Sequence, residues 1–133
     1  MEKYHLNMVA LKIIYIANIL VAGWISISSL FFPKTAAASV FSNAYPATEV
    51  MRLVGCLWLA ITILSVLGLA RPLSFSPVLL VQLIYKSVWL LVVALPAILN
   101  KQPYPAGMAL FFLIWCIVLP FVIPWSAWIK AAG

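Results

Sequence analysis

The chain has 133 residues, 67% of them hydrophobic and 8% charged. Soluble domains are about half apolar and about a quarter charged, so a water-soluble domain is excluded. The net charge of +6 comes from eight Lys and Arg against two acids, Glu2 and Glu49; the bases are scattered singly beside apolar runs, a membrane-topology pattern that argues against a nucleic-acid partner.

Apolar runs of 18 or more residues read as membrane-spanning helices. Four of them use most of the chain, so residues 1–133 are expected to form one membrane domain, an all-α bundle of four transmembrane helices. The only histidine, His5, precedes the first run, which excludes a haem held by two histidines within this chain. Span one covers about 8–32, and Lys12 lies near enough to its start to snorkel to the headgroups. The TAAAS that follows resembles a signal-cleavage site, but the preceding run is longer than a signal h-region, so it reads as a permanent anchor. For the next stretch, PKTAAASVFSNAYPA, two readings stand. It is an interfacial helix dipping Val40, Phe41 and Tyr45 into the headgroups, or an ordinary surface loop.

Span two covers 48–70, with Thr48 as a helix cap and Glu49 in the first turn, where the helix dipole favours an acid. Arg71-Pro72 breaks it. The short connection makes spans two and three antiparallel neighbours. Span three covers 76–99, with Pro77 in its first turn and Pro96 as a kink site. Span four covers 106–129. Pro120 and Pro124 bend its second half, and Trp125 and Trp128 form an interfacial aromatic belt. Lys3, Lys12, Arg71 and Lys130 fall on one side and Lys34, Arg52 and Lys101 on the other. This slight bias places both termini in the cytoplasm.

Cys56 and Cys116 both fall inside apolar runs, with neither redox nor zinc spacing. They read as small buried hydrophobes. No haem or metal site is expected in the chain. Gly23 and Gly55 permit close helix approach, although no Gly-x-x-x-Gly pair occurs.

Ionisable groups inside a membrane are functional candidates by default, and Glu49, Arg52 and Lys86 qualify. Glu49 and Arg52, at i,i+3, share a helix face. They either neutralise each other or form the polar mouth of a site. Gln82, Lys86 and Trp89 make one stripe on span three, with Tyr85 beside it. Lys86 lies roughly 18 Å along its helix, near the middle of a hydrocarbon core about 30 Å thick. Folding the hairpin at Pro72 sets Lys86 level with Trp58 and leaves Glu49 roughly 13 Å away in depth. A direct ion pair between them is therefore disfavoured. Four readings of Lys86 remain: an uncharged amine, a donor to carbonyls freed by the prolines of span four, a partner for an acid on another subunit, or a contact to an anionic or carbonyl-bearing ligand.

The four-span organisation, the segment after span one and the run TEVMRLVGCLWLAITILSVLGL, with Arg52-x-x-Gly55 opening span two, resemble DoxX-like small bacterial membrane proteins. The resemblance implies a four-helix membrane bundle in the bacterial inner membrane. Members have been tied to quinone-linked redox complexes, and no catalytic residue carries over. Polar residues of span four have no counterpart here.

Catalytic constellations are nearly absent. The leading expectation is an accessory subunit or an apolar-ligand or lipid-binding protein, as a homo-oligomer or within a larger membrane complex. Lys86, Gln82, Tyr85, Trp89, Glu49 and Arg52 are its binding candidates, and its cofactor is unknown. The alternatives are an enzyme on a lipid-like or quinone substrate, with Glu49 moving a proton and Lys86 polarising a carbonyl, and a small transporter.

Overall fold

The structure, a computed structural model, describes residues 2–132, with side chains described for 8–130. The side chains of Glu2, Lys3 and His5 lie outside the described residues. The described residues form helices joined by turns and short irregular segments, without strands. Helix α1 covers Glu2–Phe31, α2 Pro33–Ser39, α3 Glu49–Ala70 and α4 Pro77–Trp89. A π-helical turn, Leu90–Ala94, continues α4 into α5, Leu95–Leu99; α6 covers Ala106–Val122 and α7 Trp125–Ala132.

Three segments, Met8–Phe31, Glu49–Ala70 and Pro77–Leu99, are long and apolar enough to cross a membrane. The fourth expected span, 106–129, is not one helix. α6 ends at Val122 after 17 residues, and α7 starts anew at Trp125. The cause is local. Pro124 has no N–H to give the carbonyl of Pro120, and the Trp125 indole donates to that carbonyl instead, at 2.9 Å. Trp128 turns inward as well, donating to Ser76 Oγ at 2.8 Å. Both tryptophans bond to the protein's own polar groups: Trp125 ties α7 to α6, and Trp128 ties it to the start of α4.

Pro96 acts in the same way. The π turn immediately precedes it, so the wider turn absorbs the backbone that proline disturbs. At the end of α5, Lys101 adopts a left-handed φ of 55°. The Gln102 N–H reaches the Ala97 carbonyl at 2.8 Å and the Lys101 N–H the Ile98 carbonyl at 3.3 Å. This is the paired closure that ends a helix at a left-handed residue.

α3 packs along α1, and α4 packs on α6. The α1–α3 seam is made of small residues: a Cβ added at Gly55 would lie 3.0 Å from Ser29 Cβ, and one at Gly68 would lie 2.7 Å from the Tyr15 ring. Gly23 sits opposite Thr62. Tyr15 is fully buried and its hydroxyl donates to the Pro72 carbonyl at 2.6 Å. α3 and α4, expected as antiparallel neighbours across a short connection, touch only sparsely. Their connection is short, and apolar side chains line the space left between them.

Candidate functional site

The segment after α1 folds over the bundle. Ala36, Ala37 and Phe41 are buried, and consecutive left-handed residues, Ser42 (φ 51°) and Asn43 (φ 58°), turn the chain toward α3. Phe41 lies nearly parallel to Trp58, with ring centroids 6.3 Å apart, and Tyr45 packs against Phe41. These aromatic side chains thus face the protein, whereas one of the two readings of this segment had them dip into the headgroups. Burial raises the Tyr45 phenol above its usual pKa range. Thr48 takes the N-cap position of α3 without a side-chain cap bond.

Beneath this cover, between α3 and α4 and backed by α6, lies a cavity of about 920 Å³. On α3 its lining runs from Thr48 to Leu64, roughly 24 Å of helix rise. Val50, Leu57 and Val81 stand at its exposed edge. Its back wall is aromatic: Trp58, Tyr85 and Trp89 surround Phe112, each edge-on to it, with centroids 6.4, 6.0 and 5.2 Å away.

Behind that wall lies a small pocket of about 10 Å³, lined by Asn18, Gln82, Tyr85, Lys86 and Phe112 among others. This is the volume of about one water molecule. Lys86 is 3% exposed. Its Nζ donates to the Tyr85 hydroxyl at 2.8 Å and lies 4.5 and 4.4 Å from the centroids of the Tyr85 and Phe112 rings. Trp58 Nε1 donates to the same hydroxyl at 3.1 Å, which puts Trp58 at the depth that helical rise predicts. Gln82 is 2% exposed and forms a reciprocal amide pair with Asn18: Asn18 Nδ2 donates to Gln82 Oε1 at 2.8 Å, and Gln82 Nε2 to Asn18 Oδ1 at 3.1 Å. Asn18 Nδ2 also reaches Ser65 Oγ at 3.3 Å. One polar cluster therefore joins α1, α3 and α4.

The candidates divide into two sets. Gln82, Tyr85, Lys86 and Trp89 gather at the aromatic wall. Glu49 and Arg52 do not join them. Their side chains are 87% and 47% exposed and pair with each other at 3.4 Å, a surface pair worth little stability. Neither lines the cavity, so Glu49 and Lys86 do not open into one site. Lys86 makes no hydrogen bond to a carbonyl freed by Pro120 or Pro124 among the described residues. Cys56 and Cys116 are free, the former exposed and the latter partly buried.

Sequence reasoning missed Asn18 and Phe112. Asn18 left a signal: it is the single amide in the first apolar run, and an amide in hydrocarbon must find a partner. Phe112 left none, being one of many aromatic residues in a greasy helix. No family model, curated protein or solved structure matches the chain.

Proposed function

We propose that this is a non-catalytic integral membrane protein that binds an elongated apolar or lipid-like molecule between α3 and α4. In this reading α6 and α7 complete a four-helix bundle in the bacterial inner membrane, with both termini cytoplasmic. The chain stands with the DoxX-like proteins on its Arg52-x-x-Gly55 opening and segment order. The observation that carries the binding reading is the cavity itself. Its lining of apolar and aromatic side chains with few polar groups is the character of a small-molecule site. Its length along α3, roughly 24 Å, covers most of a hydrocarbon core about 30 Å thick. An extended chain-like molecule matches that shape, and exposed Val50, Leu57 and Val81 give it an entry from the lipid.

The test is purification in mild detergent from membranes of cells expressing the protein at low level, followed by mass spectrometry of the extracted lipid. The expected result is one apolar species enriched over bulk lipid in the wild type and lost in Ala60→Trp/Leu64→Trp, which fills the cavity from its α3 side. A wild-type extract matching bulk lipid would overturn the reading.

A further inference from the structure

The hydrogen bonds of the Tyr85 hydroxyl are unevenly filled. Trp58 Nε1 and Lys86 Nζ both donate to it. An indole nitrogen can only donate, and so can an ammonium. Lys86 sits over two ring faces, the placement that aromatic rings favour for a cation. With Lys86 in its ammonium form, both acceptor positions of the phenol oxygen are taken. Its own hydrogen has no acceptor among the hydrogen bonds of the described residues. A donor in that state, on a half-buried side chain, is costly.

Tyr85 and Trp58 line both the large cavity and the small pocket behind it, whereas Lys86 lines only the small one. The residue that carries the donor, Tyr85, thus stands in the partition, with Lys86 behind it. Resting on the reading of the cavity as a ligand site, we propose that the bound molecule carries a carbonyl oxygen partway along its apolar skeleton and that the Tyr85 O–H binds that oxygen. A carbonyl only accepts, which matches a wall of donors and ring faces. A hydroxyl would bring a further hydrogen with nothing to receive it. Lys86 is a positioning residue: by occupying one acceptor position of the phenol, it turns the O–H away from itself.

The test compares two probes on the full chain in detergent: a long-chain ketone with a ¹³C-labelled mid-chain carbonyl, and the alkane of equal length. Each competes against a brominated alkane that quenches tryptophan fluorescence. With the wild type, the ketone is expected to compete about tenfold better than the alkane, and its carbonyl stretch to move to lower wavenumber on binding. Tyr85→Phe should remove both the preference and the shift, so that ketone and alkane compete alike. Lys86→Met should weaken the preference and broaden the carbonyl band, because the phenol regains a second orientation. Equal competition by both probes with an unshifted carbonyl in the wild type would overturn the inference and leave the cavity reading standing. That outcome is expected if Tyr85 donates to an amine form of Lys86 or to water. Failure of both probes to compete overturns the cavity reading too.

Discussion

Helix α3 has two sides that meet the rest of the molecule in opposite ways. Toward α1 it presents Gly55, Ser65 and Gly68, and the helices come so close that added methyl groups would collide. Toward α4 it presents Val50, Val54, Leu57, Ala60 and Leu64, and a cavity of about 920 Å³ remains open. The closed side is the less bulky one. In a bilayer, lipid tails satisfy apolar side chains as well as another helix does, so apolar character does not draw helices together. Small residues and interhelical hydrogen bonds do. The α1 side has both, in Gly55 and Gly68 and in the Asn18–Ser65 contact. The α4 side has one direct hydrogen bond, from Trp58 to Tyr85, at the back of the gap.

Gly68→Ala tests the closed side with the largest expected effect. Its Cβ would lie within 2.8 Å of three Tyr15 ring atoms. That ring is fully buried and anchored at its far end to the Pro72 carbonyl. It cannot swing away cheaply. Overpacking of this kind costs about 1–3 kcal/mol, read as earlier unfolding in a denaturing-detergent titration. Adding Tyr15→Leu should recover part of the loss. If Gly68→Ala unfolds with the wild type, the α1–α3 seam is looser than its geometry.

Asn18→Leu comes next. It strands the buried Gln82 amide and removes the polar link among three helices. Polar pairs between membrane helices average about 0.6 kcal/mol and reach about 1.7. A double-mutant cycle of Asn18→Leu with Gln82→Leu should give a coupling in that range. Additive effects would mean that the amide pair does not form.

Much of the fold was legible because each helix is an apolar run bounded by Pro, Thr or basic residues. The starts of α3 and α4, the break at Arg71-Pro72 and the disturbance at Pro96 followed from local chemistry. So did the level of Lys86 against Trp58, which needs only helical rise and a hairpin of known length. The open space between α3 and α4 was not legible. A short connection makes two helices neighbours in the chain and says nothing of how closely their facing surfaces pack. The fourth span was misread because Pro120 and Pro124 were both taken as bends. Pro120 continues its helix, while Pro124 ends it, since an indole one residue later takes the freed carbonyl. The stripe of Gln82, Tyr85, Lys86 and Trp89 was visible by spacing alone. Its partners Asn18 and Phe112 come from other helices, where local pattern has no reach.

The smallest expected effect is the sharpest test of the comparison. Ala60→Leu adds three carbons to α3 on its cavity side, where Gly68→Ala adds one to its packed side. By bulk alone, Ala60→Leu should be the worse change. The cavity predicts the reverse. Ala60 is exposed and lines the open space, and leucine keeps good helix propensity. Its side chain enters room that already exists, so unfolding should stay within about 0.5 kcal/mol of the wild type, the usual range for surface changes. A loss as large as that of Gly68→Ala would mean that α3 and α4 close on each other in solution, and the difference between the two sides of α3 would disappear.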